Sequence, residues 1–224
     1  MTAVARPRLD PAAATKAEAV LIALREQLIS GERPYGEILS SADLAEEFGV
    51  SRRPVMDALL RLESAGFIEI IRQVGCQVVI PDRRSVREHF FAAAVLEGAA
   101  AGLAAEHASA RERAEIHAAL ADSAAAAAAD DVHGFEVANK RFHTATLAGG
   151  GNRRLAELAH DAWNLSDFYL QRRTPEDLRI AHREHEQVAQ LIDAGDAAGA
   201  RRAMESHLAR FGDRAIIPDQ DEAR

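Results

Sequence analysis

The stretch Ser41–Arg61, SADLAEEFGVSRRPVMDALLR, constrains the fold more than any other part of the chain. Leu44, Ala45 and Phe48 share one helical face, Gly49 is placed to take the left-handed conformation that ends a helix, and Val50 is an apolar plug at the corner. Ser51 then opens a second helix. Its hydroxyl is expected to cap free backbone N–H groups, Pro54 fits the first turn, and Val55, Leu59 and Leu62 form an inward stripe. Two short helices about a glycine corner make a helix-turn-helix, and the exposed first turn of its second helix carries Ser51, Arg52 and Arg53. A helix N-terminus lying in a major groove brings such residues to phosphates and base edges, where an arginine fork hydrogen-bonds guanine O6 and N7 together. An isolated Arg-Arg pair reads as two solvated side chains; the turn in front of this pair makes DNA contact the expectation.

The flanks agree with that reading. A helix is expected from Thr15 to about Ser30 with Gly31 as its stop, and GERPYGEIL forms a Pro/Gly turn before the helix pair. Gly66 ends the second helix, and FIEII and CQVVI are β-branched runs separated by RQVG, a hairpin with Gly75 at the bend. Helix, helix-turn-helix and hairpin add up to a winged helix. Arg72 and Gln73 are the donors such a wing would offer to DNA, the alternative being a purely structural hairpin. The boundaries that follow are a flexible arm over 1–14, a winged helix over 15–80, an all-α domain over 81–217 and a tail over 218–224.

At 224 residues with 48% hydrophobic content and only 5% aromatics, an alanine-rich chain favours close-packed helices, so the fold class is mainly α. Beyond the hinge at Pro81 and Asp82, six helices are expected in an antiparallel bundle: Arg83–His107, Ala110–Ala128, Asp131–Ala148, Asn152–Gln171, Pro175–Ala194 and Ala197–Phe211. The net charge of −8 excludes a protein that coats nucleic acid indiscriminately, and residues 1–80 hold 9 Lys and Arg against 11 Asp and Glu. Attraction to DNA must then be local, which makes a homodimer with doubled contacts the expectation. One cysteine, Cys76, excludes an intrachain disulfide and a thiolate-rich zinc site. No segment has the roughly 20 apolar residues a membrane span needs, and the first residues lack a signal-peptide core, so no membrane is involved and a cytoplasmic location is expected.

Three histidines face inward together. Phe135, Asn139, Phe142, His143 and Thr146 return to one helical face, as do Leu178, His182, His185, Ala189 and Ile192, and again Ala200, Met204, His207 and Phe211. One buried histidine is ordinarily a satisfied core residue. Imidazoles sent inward from three helices point instead to a shared divalent metal, because burying several unpartnered polar rings costs a few kcal/mol each.

Residues Leu28–Ile80, through the run LISGERPYGEILSSADLAEEFGVSRRPVMDALLRLESAGFI, resemble the winged helix of GntR-type transcription regulators. Arg83–Phe211, through LEGAAAGLAAEHA, NKRFHTATLAGGGN and REHEQVAQLIDAGDAAGARRAMESHL, resembles the FCD ligand-binding domain of the FadR branch. The resemblance implies a metal held by Asn139, His143, His185 and His207, with Asn139 standing where the family has an aspartate. It also places Met56 where the family has an arginine, so base contact carries over to Arg52 and Arg53 and not to Met56, which meets a thymine methyl or simply packs. Imidazole ligands suit a divalent transition metal, zinc or nickel first, over calcium or magnesium. Open coordination positions would take a small organic acid as effector. The arginine that holds such an acid in the family is Ala93 here, so either Arg172 or Arg173 replaces it or the effector is less acidic; Trp163 and Tyr169 are candidate pocket walls.

The expected function is a dimeric, ligand-responsive regulator on a palindromic operator, not an enzyme. A metal sensor whose ion is the signal is one alternative. A metalloenzyme fused to a DNA-binding arm is the other, and it lacks an evident general base among the inward residues: Glu184 and Glu186 flank His185 but lie off its stripe.

Overall fold

The computed structural model describes residues 9, 12–71, 75–170 and 174–214. Within them the elements run α1 (Lys16–Ile29), β1 (Ile38–Leu39), α2 (Ser41–Phe48), α3 (Arg52–Ser64), β2 (Ile68–Ile71), β3 (Gly75–Val78), α4 (Arg83–His107), α5 (Ala110–Ala128), α6 (Val132–Gly149), α7 (Arg153–Tyr169), α8 (Pro175–Asp193) and α9 (Ala197–Arg214). They fall into two compact units. The first holds the elements up to Asp82 together with the chain around Asp167–Leu170, and the second begins at Arg83.

In the first unit the Thr15 hydroxyl accepts from the Glu18 N–H, 3.1 Å, and starts α1, whose buried Val20, Leu24 and Leu28 face α3. Gly49 ends α2 at φ +66°, the left-handed cap expected of it, and Val55, Leu59 and Leu62 of α3 are wholly buried. Arg33 joins the end of α1 to α2: it donates to Gln27 and to Glu37 at 3.2 and 2.9 Å and also pairs with Glu47. Three local features differ from expectation. Ser51 is the N-cap of α3 but its hydroxyl makes no capping bond, because the residue three positions on is Pro54, which has no N–H to give. The turn before α2 also contains a strand. Ile38 and Leu39 pair antiparallel with Gln77 and Cys76, giving a three-stranded sheet of order β1-β3-β2. Two residues are too few to show alternation in a sequence. Gly75 pairs with Ile71 and opens β3, at φ +131°, rather than forming the bend; residues 72–74, with Arg72 and Gln73, lie outside the described residues.

The second unit has six helices among its described residues, each within a few residues of its expected span. Ser109 and Thr174 start α5 and α8 with reciprocal capping boxes, Asp131 accepts from Gly134 N–H ahead of α6, and Asn152 accepts from Leu155 N–H ahead of α7. Small residues let α4 lie close against α9. A Cβ on Gly102 would stand 3.1 Å from the Ala197 carbonyl oxygen, and one on Gly98 only 2.5 Å from the Glu205 side chain. The alanine run at the end of α5 has a packing role: Ala126 and Ala127 are buried against Phe135 of α6 and Leu178 and Ala181 of α8. No described helix is long and apolar enough to cross a membrane.

The corner at Gly49 is the most exacting backbone position in the helix pair. Gly49→Val forces a β-branched side chain into the left-handed region and is expected to lower the unfolding free energy by about 1–2 kcal/mol, read by urea denaturation.

Candidate functional site

The first unit presents Ser51, Arg52 and Arg53, all exposed, at the N-terminus of α3. The Ser51 hydroxyl makes no capping bond, and the arginines follow it in the first turn, where the backbone N–H groups of the helix end also point outward. Arg33, by contrast, is engaged in the network that ties α1 to α2. Met56 is half-buried beside them.

In the second unit α6, α8 and α9 bring His143, His185 and His207 together, all buried, with one nitrogen from each within 4.8 Å of the others. Ring centroids are 5.0 Å apart for His143 and His185, 5.6 Å for His143 and His207, and 4.4 Å for His185 and His207. Aromatic neighbours hold the rings. Phe142 stacks on His185 at 4.1 Å, Phe211 meets His207 edge-on at 4.9 Å, and Trp163 lies 6.1 Å from His143. His185 Nε2 is 3.0 Å from His207 Nε2. Asn139 sits one turn before His143 and is half-buried. His182, on the same expected stripe as His185, turns elsewhere: its Nδ1 is 2.8 Å from the Ser123 hydroxyl of α5.

Two carboxylates complete the cluster, and neither lies on the inward stripes that the helical spacing predicts. Glu97 of α4 is 2% exposed; one oxygen is 2.5 Å from His143 Nδ1 and the other accepts the Trp163 indole N–H at 3.0 Å. Burial pushes its carboxyl up, but the adjacent His143, the two hydrogen bonds and His207 together outweigh that and hold it below the usual carboxylate range. Glu184 of α8 lies 2.8 Å from His207 Nδ1 and accepts from Arg210 at 2.6 Å. Burial pushes the His207 ring down, against the pull of Glu184 and with the help of His143, so it stays below its ordinary value. With Nδ1 of both His143 and His207 turned to a carboxylate, Nε2 is the nitrogen left for a ligand. Imidazoles in a buried, aromatic-lined site are donors of the kind a first-row transition metal takes, so the residues present fit such an ion.

Residues 16–78 match the bacterial regulatory proteins of the gntR family, and residues 88–210, more than half of the chain, match the FCD domain. The chain belongs to the GntR family. One relative, an uncharacterized HTH-type transcriptional regulator in the TAR-I ttuE-ttuC' intergenic region of Agrobacterium vitis, is 30% identical over 139 residues, 60% of this chain and 81% of that protein. A probable D-xylose utilization operon transcriptional repressor of Paenarthrobacter nicotinovorans is 24% identical, covering 83% of this chain and 82% of that one. The solved structure of E. coli McbR/YncC, 24% identical, shares the fold with a TM-score of 0.72 over 88% of this chain and 95% of its own. This GntR-family protein is therefore a transcription regulator and not an enzyme, with an FCD domain whose buried histidine triad could hold a metal ion.

Of the expected effector-pocket residues in this regulator, Trp163 is buried beside His143 and packs on Ala100, Leu147 and Ala159, so it is a core residue that also holds Glu97. Tyr169 is buried at the end of α7, in the stretch that groups with the first unit, while Arg172 and Arg173 lie outside the described residues. One signal for Glu97 was present: it is the lone charged residue between Phe90 and Ala105, and a single acid in an apolar helix marks a buried carboxylate. Glu184 gave none, because it reaches across to another helix from off the expected stripe.

His89 of α4, one helical face with Ala93 and Glu97, sits 2.8 Å from the Ser166 hydroxyl, and burial lowers its pKa to about 4 against a weaker opposing pull from Glu97. A histidine depressed in the folded state leaves the unfolded chain binding the proton more readily between 6.5 and 4, so stability falls as pH drops through that window. The expected loss is about 2 kcal/mol from pH 7 to pH 5, and His89→Gln should flatten it in urea titrations at the two pH values.

Proposed function

We propose that this regulator works as a homodimer on a palindromic operator in the cytoplasm, reading DNA through Ser51, Arg52 and Arg53 with help from Arg72 and Gln73. In the same proposal its FCD domain binds a divalent transition metal, zinc or nickel, through His143, His185 and His207 with Asn139 adjoining. The metal's open positions take a small organic acid, with Arg172 as the residue proposed to hold it. The observation that supports this best is the convergence of three buried imidazoles from three helices, two of them held at Nδ1 by carboxylates. When bound, the ion supplies a fixed positive charge on which an acid can be held. The effector changes DNA affinity only through its differential affinity for the two dimer geometries.

A second reading makes the ion itself the signal. It is favoured by Ala93, buried at 1% exposure where the resemblance would place an acid-binding arginine. Metal-dependent operator binding with no organic ligand present selects that reading.

Arg52→Ala deletes an exposed groove donor and is expected to abolish specific operator binding while leaving the fold intact; a retained footprint overturns the assignment. For the metal, His143→Ala, His185→Ala and His207→Ala should each lose the ion and most of the stabilisation it confers. That stabilisation is about 3 kcal/mol when free metal exceeds its dissociation constant 100-fold. His182→Ala should keep the metal, since its ring is committed to Ser123. Asn139→Asp should tighten metal binding by adding a negative charge next to the ion and weaken an anionic effector. Metal content and melting temperature with and without chelator decide the outcome: full occupancy in the His143 and His207 variants places the site elsewhere.

A further inference from the structure

We propose that Glu97 and Glu184 are positioning residues for the metal. Each holds the Nδ1–H of one ligand histidine so that Nε2 faces the ion, and together they supply the negative charge that Asn139 does not bring. The inference rests on the metal reading above and concerns which residues make the site work.

The two carboxylates are built alike on different helices. Glu97 of α4 has one oxygen 2.5 Å from His143 Nδ1 of α6 and gives the other to the Trp163 indole of α7 at 3.0 Å. Glu184 of α8 has one oxygen 2.8 Å from His207 Nδ1 of α9 and gives the other to Arg210 at 2.6 Å. An imidazole whose Nδ1 proton is held by a carboxylate is fixed in ring orientation and in tautomer, with its lone pair on Nε2 and its basicity raised. A proton on Nε2 would give a buried imidazolium; an ion takes that proton's place. Charge leads to the same assignment. A divalent ion among three imidazoles and an amide has no ligand that brings a negative charge into a low-dielectric site, and among the described residues the hydrogen-bond partners of Glu97 are a histidine and an indole, neither a fixed cation. Glu97 and the metal each lack what the other has.

Arg210 distinguishes the roles. It is 56% exposed in its side chain and shares Glu184 with His207, in a surface groove of about 330 Å³ lined also by Ser206 and Arg202. If the Arg210 pair only braced α9, losing either member would loosen the site. If Glu184 acts on His207, losing Arg210 frees its charge for the histidine and strengthens the ligand.

The experiment measures zinc and nickel affinity by chelator competition, with the melting temperature of each metal-free variant alongside. Glu97→Gln and Glu184→Gln should each weaken binding by about 10- to 100-fold with the metal-free melting temperature kept near wild type. Arg210→Ala should bind as tightly as wild type or a few-fold tighter. Asn139→Asp added to Glu97→Gln should recover much of the loss by returning the charge to the site. Unchanged affinity in both Gln variants, in a protein where His143→Ala loses the metal, overturns the inference and leaves the metal site standing. Weakened binding in Arg210→Ala overturns the role of Glu184, and no recovery with Asn139→Asp overturns the charge assignment of Glu97. A wild-type protein that binds neither ion overturns the metal reading and this inference with it.

Discussion

Glu97 is a carboxylate with almost no contact with water, and much of the FCD domain is arranged around keeping it there. Removing a charge from solvent costs several kcal/mol even after relaxation, so the residue must be met by donors that leave neither oxygen bare. His143 and Trp163 do this from α6 and α7, and the three helices are thereby fixed to one another at a single polar point. The small residues that follow Glu97 belong to the same design. Gly98 and Gly102 bring α4 close against α9, the helix that carries His207, and Ala100 packs on Trp163. A bulkier face on α4 would hold α9 away, and with it the third imidazole.

The first unit solves a different problem. With 9 basic residues against 11 acidic ones in residues 1–80, its overall field repels DNA, and Arg33 is committed to Glu37 and Glu47 rather than to a partner outside. The attraction proposed for it is local: two exposed arginines at a helix N-terminus, following a serine whose hydroxyl is not taken up by capping because Pro54 removes the N–H it would bind. The proline that pre-sets the first turn of α3 thus also leaves a polar group at its tip.

Most of this was legible in the sequence because helices announce themselves twice, through periodicity and through their ends. The GGGN break, the Thr174–Pro175 start and the left-handed glycines at 49 and 195 placed boundaries to within a few residues, and the steps of three and four placed His143, His185 and His207 on inward faces. What the pattern could not carry was anything decided by a side chain crossing between elements. His182 shares the stripe of His185 yet turns to Ser123, and Glu184 lies off that stripe yet reaches His207. Helical phase fixes where a Cβ points, and a long side chain at the edge of a face is free to go either way. The short strand Ile38–Leu39 was missed for the opposite reason: its formation depends on β3 being there to pair with, not on any pattern of its own.

The acidic character of the DNA-binding unit bears on how a ligand in the FCD domain would control the regulator. In the dimer proposed above, each winged helix alone is held to DNA by a few local contacts against an unfavourable background field, so its affinity for a half-site is low. Operator affinity then comes mainly from the second half-site engaging at the effective concentration set by the first. That gain disappears when the geometry forbids both engagements at once. A modest change in dimer spacing, driven by no more binding energy than an effector's preference for one geometry, is therefore multiplied into a large change in occupancy. A strongly basic domain would stay on the DNA with one head, and the same change would be lost against its nonspecific hold.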